Sequence, residues 1–242
     1  MIIINADDLG RSRPETDAAL ACYQAGRITS ASAMVFMQDS ERAAEKATEC
    51  GIDIGLHLNL SQLYTGQVPI KTASAQARIA RFMRGSKYAV LFYNPGLRQP
   101  LRDVFCAQME EFFRLYGKPP SHFDGHHHRH LCANMLIDEV IPNGHRVRRN
   151  FSYRPGEKWW ANRTYRRLFD WWLGRKYRLT DFLFNLGECS AEKRLQHVSD
   201  LARNFSVELQ THPAAPNEYA LLMSEPFARM LEKLEVATYA LV

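Results

Sequence analysis

Carboxylate and imidazole side chains, which bind metals and move protons, occur in this sequence beside short apolar segments. Asp7 and Asp8 follow the first such segment, and His57 lies within another. A third segment runs into the dense tract His122–His130, and His212 stands before a proline after a further apolar run. Active sites of parallel α/β folds assemble where the strands end. We therefore expect these parts of the chain to meet at one site.

Each of these residues also has an ordinary structural interpretation. Asp7 and Asp8 are of a type favoured in turns and helix caps, a single histidine in an apolar run is most often a hydrogen-bonded core residue, and His212 suits a surface turn. The histidine tract favours the functional interpretation, because several buried imidazoles lose solvation unless each finds a partner, such as a divalent ion. A solvated, tag-like tract is the competing interpretation, although tags do not lie between a mid-chain strand and helix.

The residue types indicate one divalent metal ion. Two imidazoles and one carboxylate suit a catalytic Zn²⁺ with open positions, whereas a site richer in carboxylate and water would hold Mg²⁺ or Mn²⁺. One of the adjacent aspartates would bind the ion and the other would act as a base, with His212 as general acid or transition-state hydrogen-bond donor. Arg148 and Arg149 end another predicted strand and could meet an anionic group of the substrate. For at least one of the two, a solvated surface is the more ordinary role.

Strand-like and helix-like segments alternate along the chain, which predicts an α/β fold of about seven strand–helix units with a parallel sheet, closed as a barrel or open and doubly wound. The strand that begins the chain is not followed by a glycine-rich phosphate loop, which disfavours nucleotide binding. The predicted strands are Ile2–Ala6, Ser32–Met37, Ile52–Leu58, His122–Asp124, Arg146–Arg149, Asp181–Asn185 and Val207–Gln210. The predicted helices are Pro14–Ala25, Ser40–Cys50, Leu101–Tyr116, Asn134–Ile141, Thr164–Leu173, Ala191–Asn204 and Ser224–Leu234.

Composition favours one folded domain over residues 1–242, since 46% of the residues are hydrophobic and 24% are charged. The net charge of +5, from 31 basic and 26 acidic residues, is modest, and without a recognisable nucleic-acid motif it argues against a nucleic-acid partner. The five cysteines are widely spaced, which predicts neither disulfides nor a thiolate zinc site. No signal peptide or membrane-spanning stretch is recognisable, so we expect a cytoplasmic protein.

All four tryptophans lie between residues 159 and 173, interleaved with arginines. The ordinary interpretation is an amphipathic helix in which Tyr165, Leu168, Phe169, Trp172 and Leu173 face the protein and the arginines face water. A second interpretation is a basic aromatic surface that makes peripheral contact with a membrane or a lipid-linked sugar. A third is aromatic stacking on sugar rings in an extended cleft.

Five motifs, in this order, resemble the YdjC-like carbohydrate deacetylases, a family that includes chitooligosaccharide deacetylase and a hopanoid-biosynthesis deacetylase. They are Asn5-Ala-Asp-Asp-Leu-Gly, Gly26-Arg-Ile-Thr-Ser-Ala-Ser-Ala-Met, Gly55-Leu-His-Leu-Asn-Leu, His122-Phe-Asp-Gly-His-His-His-Arg-His and Thr211-His-Pro. Together they span most of the chain, and five ordered motifs are far more specific than any one of them.

The resemblance implies an irregular TIM-like (β/α) barrel and a metal-dependent hydrolase. Such an enzyme would remove the acetyl group from the amine of an N-acetylglucosamine-type oligosaccharide or glycolipid and release acetate. Carried over to this sequence, Asp8, His57 and His126 would bind the metal, Asp7 would be the catalytic base, and His212 would lie near the leaving group. A homo-oligomer is also an expectation from the resemblance alone.

Two other functions compete with this one. The first is a metal-dependent amidohydrolase or phosphoesterase on a similar barrel, in which His126 and His128 form a paired-metal motif. The second is a basic binding module without catalytic activity, whose histidine tract only stores metal. Loss of activity on chelation and its return with metal would argue against the binding module.

Overall fold

The first apolar run forms the strand β1 (Ile2–Leu9) near the middle of a parallel sheet, and all of its residues are buried. Burial of both faces is typical of the strands of a parallel sheet. The computed structural model describes residues 1–86, 88–154, 156–189 and 192–242. The other strands in these ranges are β2 (Ser30–Ala33), β3 (Asp53–Leu58), β4 (Phe123–Gly125), β5 (Phe182–Asn185) and β6 (Val207–Thr211).

Within the described ranges the sheet has six parallel strands in the order β4-β3-β2-β1-β6-β5. Consecutive strands lie side by side from β1 to β4, and the chain then returns to the other side of β1 through β5 and β6. The carboxyl ends of all six strands therefore lie at one edge of a curled sheet. The strand ends that carry Asp7, His57 and His126 are thus brought to the same side of the molecule.

Helices cover the sheet on its outer side. They are α1 (Arg13–Gln24), α2 (Ser40–Cys50), α3 (Ile70–Gly85), α4 (Arg98–Tyr116), α5 (Ala133–Ile137), α6 (Trp160–Leu173), α7 (Glu192–Ala202), α8 (Pro216–Leu222) and α9 (Glu225–Leu231). In α4 the buried residues Leu101, Val104, Phe105 and Phe112 recur at helical spacing, which places one apolar face on the core. This helix ends at Gly117, whose φ of 64° suits the left-handed conformation that follows a helix.

The predicted strand Arg146–Arg149 is wrong as a strand, so the described part of the sheet has six strands and not the seven expected. The segment makes isolated bridges, and the backbone N–H of Phe123 donates to the Arg146 carbonyl at 2.8 Å. Further along the chain, beyond the segment, the backbone N–H of Ser152 donates to the Leu183 carbonyl of β5 at 2.8 Å. Regular pairing stops after Arg148 because the next two residues bond instead to Asp170 of α6, with the Arg149 guanidinium at 2.8 Å and the Asn150 amide at 3.1 Å.

Other differences have local causes. Helix α3 was not predicted, because its buried face includes Gln76 and Ala80 and so gives only a weak apolar pattern. Helix α8 was also not predicted, β2 lies earlier than expected, and α6 begins four residues earlier, at Trp160. The predicted helix start at Ala191 lies outside the described residues. None of the helices that the structure describes is long and apolar enough to cross a membrane.

Candidate metal centre

The two adjacent aspartates remain within β1, and the strand is irregular where they lie. The pairing of β1 with β2 shifts register between Ala6 and Leu9, and Asp8 has a φ of 67°. In a regular strand neighbouring side chains point to opposite faces, so this irregularity is what allows Asp7 and Asp8 to line one cavity. A non-glycine residue in the left-handed region is strained by about 1–3 kcal/mol, and such strain concentrates at functional sites.

One aspartate and two histidines from three separate strand ends converge. The Oδ1 atom of Asp8 lies 2.9 Å from His126 Nδ1 and 3.4 Å from His57 Nε2. One ligand atom from each residue lies within 4.8 Å of the others, and all three residues are buried. The structure therefore brings together the residues expected from the resemblance to bind a metal.

Hydrogen bonding to Asp124 turns the Nε2 atom of His57 toward Asp8. His57 Nδ1 lies 2.8 Å from Asp124 Oδ1, so the proton of a neutral His57 ring belongs on Nδ1 and the Nε2 lone pair faces Asp8. The Oδ1 atom of Asp8 is buried and has no partner of good hydrogen-bond geometry among the described residues, although His126 Nδ1 lies 2.9 Å away. Such an arrangement is unfavourable unless a positive charge lies between the three groups, and either a second proton on His57 or a bound cation would supply that charge.

The charges around the cluster favour a cation. Burial lowers the pKa of His57, but the charges of Asp124 and Asp7 outweigh burial and raise that pKa to about 10. Burial raises the pKa of Asp8, but its contacts with His126 and His57 hold the pKa well below the usual value. One carboxylate oxygen and two imidazole nitrogens in this field are a fitting donor set for a divalent metal ion.

The guanidinium of Arg148 is fully buried and binds three carboxylates. Its Nη1 and Nη2 atoms each lie 2.7 Å from Asp7, Nη1 lies 2.7 Å from Asp124 Oδ2, and Nε lies 2.6 Å from Glu208. Asp7 also accepts hydrogen bonds from Gln210 at 2.7 Å and from Asn5 at 3.0 Å. The expectation that Arg148 meets the substrate is therefore wrong, because its side chain is used inside the protein. Arg149 likewise binds Asp170.

Asp7, His57 and Asp124 form a second group whose ligand atoms lie within 4.8 Å of one another. This group does not need a metal ion. The Nη1 atom of Arg148 lies 2.7 Å from both Asp7 Oδ2 and Asp124 Oδ2, so the guanidinium already supplies the positive charge between them.

His212 lies at the rim of the same cavity. Its backbone N–H donates to Glu218 Oε2 at 2.8 Å, and its Nδ1 lies 3.6 Å from Glu218 Oε1. Burial lowers the pKa of His212, but hydrogen bonding to Glu218 and the charge of Asp7 outweigh burial and raise it above the usual value. The side chain is 37% exposed, so His212 remains accessible to a ligand.

The histidine tract is folded into the protein and is not a solvated tag. His122 is buried: its Nε2 atom lies 3.0 Å from Ser32 Oγ, and its Nδ1 atom lies 2.9 Å from Ser121 Oγ. Its ring stacks on Tyr239. His130 Nε2 lies 3.0 Å from the Arg148 carbonyl. The other members, His126, His127 and His128, line the cavity, and the last two have φ values of 56° and 55°.

The cavity over the cluster has a volume of about 330 Å³. Its lining comes from β1, β3, β5 and β6, from the segment that follows β4 and from side chains at the rim: Asp7, Asp8, Arg11, His57, His126, His127, His128, Phe151, Asn185, Gln210 and His212. A larger, open depression of about 1200 Å³ lies beside α2 and α4 and contains none of these residues. The smaller cavity is therefore the candidate active site.

Sequence reasoning missed several residues of this site. Asp124 lies in a quoted motif but received no role, and nothing in the sequence indicated that Arg148 would be buried. Arg11, whose Nη1 lies 3.1 Å from Asp8 Oδ2, gave no recognisable signal. Gln210 ends a predicted strand, and that position was the available indication that it would face the site.

Comparison with known proteins gives consistent relatives. A chitooligosaccharide deacetylase of Proteus mirabilis is 31% identical over 139 residues, which cover 56% of this chain and 52% of the relative. A carbohydrate deacetylase of Mus musculus is 32% identical over 137 residues, which cover 55% of this chain and 44% of the relative. The chain thus matches about half the length of these curated relatives. A chitooligosaccharide deacetylase of Yersinia pestis is 23% identical over 96% of this chain and 88% of its own.

A solved structure of a protein from Enterococcus faecalis V583, named a cellobiose-phosphate cleavage protein, has the same fold. It has a TM-score of 0.69 and 19% identity, and covers 99% of this chain and 97% of its own. The YdjC-like protein family profile matches residues 1–233. The chain is therefore a member of the YdjC-like protein family.

Proposed function

We propose that this protein is a metal-dependent hydrolase that removes the acetyl group from the amine of an N-acetylated sugar and releases acetate. The observation that carries the proposal is that Asp8, His57 and His126 converge in the protein interior, beside a second carboxylate, that of Asp7. One oxygen of Asp8 has no partner of good hydrogen-bond geometry there among the described residues. The relatives named carbohydrate deacetylases support the substrate class, an N-acetylglucosamine-type oligosaccharide or glycolipid.

Asp8, His57 and His126 would hold one divalent ion, Mg²⁺ or Zn²⁺. When bound, such an ion would polarise the acetyl carbonyl and make a coordinated water more acidic. Asp124 orients His57 by accepting its Nδ1 proton, which keeps Nε2 free. Arg11 binds the Oδ2 atom of Asp8 and leaves Oδ1 for the ion.

Asp7 would act as the base that takes a proton from the attacking water. Arg148 binds both of its oxygens, and Gln210 and Asn5 donate one further bond each, so the carboxylate cannot rotate away. Fixed orientation matters because proton transfer requires a distance of about 3 Å between heavy atoms. Arg148 is thus a positioning residue for this step.

His212 would donate a proton to the departing amine nitrogen. Amides need this step because an amine anion is a poor leaving group. The contact of Glu218 with Nδ1 leaves Nε2 of the ring for the cavity and favours the protonated form. A raised pKa keeps more of this acid protonated near neutral pH.

The geometry does not favour the paired-metal alternative. His128 belongs to neither of the two ligand groups found among the described residues, and its ring instead contacts Phe151 with centroids 4.4 Å apart. The nearby carboxylates that could hold a second ion are bridged by Arg148.

We also propose that the sheet forms the wall of an irregular TIM-like (β/α) barrel. The support is the segment 145–152, whose backbone bonds to β4 at one end and to β5 at the other, and so spans the gap between the outer strands of the sheet.

Acetate release from short N-acetylglucosamine oligomers and N-acetylated glycolipids tests the function. We expect release that stops with chelator and returns on adding Mg²⁺ or Zn²⁺. Asp8→Asn should lose metal and activity, whereas the control Asp200→Asn, at an exposed position on α7, should keep both. Activity undiminished by thorough chelation would contradict the proposal.

A further inference from the structure

Helix α6 presents large apolar side chains to solvent. Trp160, Leu168 and Trp171 are 66%, 63% and 60% exposed, and their spacing places them on one side of the helix. Trp159, just before the helix, is 70% exposed. The prediction that Tyr165 and Leu168 face the protein is wrong, because they are 48% and 63% exposed. Leu173 is buried in the core, and Phe169 and Trp172 pack against it from the opposite side of the helix.

Cationic side chains surround these exposed residues. Residues 158–176 contain six lysines and arginines and one acidic residue, Asp170, which is already bound to Arg149 at 2.8 Å. The guanidinium of Arg175 lies 3.7 Å from the ring centroid of Trp171, so charge and aromatic surface are in direct contact. We name Trp159, Trp160, Leu168 and Trp171, with Arg167 and Arg175, the α6 surface.

We propose that the α6 surface binds the face of an anionic lipid bilayer. Tryptophan and arginine suit the headgroup region, where an apolar ring can be buried while a cation stays near phosphate. A second copy of this chain is a poorer occupant, because pairing two α6 surfaces would bring Arg167 and Arg175 of one copy toward the same arginines of the other, and the α6 surface contains no acidic residue to offset them. The chain as a whole carries +5, which adds to the attraction of an anionic surface.

The surface is fixed to the part of the chain that borders the candidate active site. Asp170 accepts hydrogen bonds from Arg149 and Asn150, and the next residue, Phe151, lines the cavity. None of the residues that line the cavity belongs to the α6 surface. Lipid binding can therefore be removed by substitution without altering catalytic groups.

Sedimentation of the full chain with vesicles of phosphatidylcholine, with and without phosphatidylglycerol, tests this proposal. We expect binding to the anionic vesicles and weaker binding at high salt, because screening shortens the range of the attraction. Trp160→Ser/Trp171→Ser should lose binding. The matched control Phe92→Ser/Phe113→Ser removes side chains that are 65% and 58% exposed elsewhere, and should bind like the parent.

A charge series gives a second measurement. Each arginine near an anionic membrane strengthens binding to it. The double variant Arg167→Gln/Arg175→Gln should therefore bind anionic vesicles roughly 30-fold more weakly than the parent. The control Arg81→Gln/Arg203→Gln makes the same change in net charge away from α6 and should have a much smaller effect. Circular dichroism checks that each variant is folded.

Three outcomes would overturn the proposal. The first is a parent protein that fails to bind anionic vesicles. The second is equal loss of binding in the α6 variants and their controls. The third is a parent dimer that Trp160→Ser/Trp171→Ser converts to monomer without any vesicle binding, which would make the surface an interface between copies.

Discussion

Replacing Arg148 by methionine should destabilise the protein strongly, by an amount that depends on pH. The substitution keeps much of the buried volume but removes the cation that pairs with Asp7, Asp124 and Glu208 at 2.6–2.7 Å. Removing one partner of a buried ion pair leaves an uncompensated charge and lowers the free energy of unfolding by about 3–5 kcal/mol. With three carboxylates left behind, we expect the upper end of that range at neutral pH.

The pH dependence follows from Asp124. Burial raises the pKa of this carboxyl, but Arg148 and His57 outweigh burial and hold it well below 3.8. Because the pKa of Asp124 is lower in the folded state than in the unfolded state, the ionised carboxylate stabilises the fold at pH values above 3.8, its unfolded-state pKa. This stabilisation is lost as the pH falls below 3.8. Arg148→Met removes the contribution of Arg148 to this stabilisation. The free energy of unfolding should therefore fall furthest below that of the parent near pH 7, and the difference should shrink below about pH 4.

Urea unfolding at several pH values measures this deficit. The matched control is Arg146→Met, which should lose far less stability, because the Arg146 guanidinium bonds to backbone oxygens of Val242 and Ala240 near the surface and not to a buried carboxylate. A deficit for Arg148→Met below about 1 kcal/mol, or one that stays constant with pH, would refute the reasoning.

Three further predictions follow from the site. Asp7→Asn should keep bound metal yet lose about 10²–10⁴-fold in kcat; near-normal turnover would show that another group is the base. Glu218→Gln should lower the pKa of His212, so the alkaline limb of the kcat profile should move to lower pH; an unmoved limb would remove His212 from that role. Gly55→Ala would place a Cβ 2.3–2.4 Å from the His122 ring, so thermal unfolding should show a loss of about 1–3 kcal/mol or more, and an unchanged Tm would contradict the packing described.

The sequence predicted strands best where apolar and β-branched residues are continuous. β1 was recognised for this reason, and the polar residues at the ends of β1 and β6 indicated the edge of the sheet at which the cavity lies. Arg146–Arg149 was also predicted as a strand, although Val147 is its one apolar residue, and regular pairing ends where the Arg149 side chain and the Asn150 backbone bond to Asp170 instead. Propensity cannot reveal such competition, because the competing partners lie far away in the chain.

The candidate site was only partly predictable for the same reason. Asp8, His57 and His126 were selected through the family resemblance, and the structure brings their ligand atoms within 4.8 Å, while their role as metal ligands stays a proposal. Arg148 was assigned to solvent or substrate because an arginine is exposed by default. Its burial depends on three carboxylates from three separate strands, an arrangement that only the folded chain displays.

The central claim is that Asp8, His57 and His126 share one divalent ion, and equilibrium metal binding tests it most directly. After chelation and dialysis, titration of the parent with Zn²⁺ or Mg²⁺ should show one tight site per chain, and His57→Ala and His126→Ala should each abolish it. His197→Ala, which removes a histidine from α7 outside the cluster, should bind as the parent does. Unchanged metal binding in His57→Ala and His126→Ala would contradict the account.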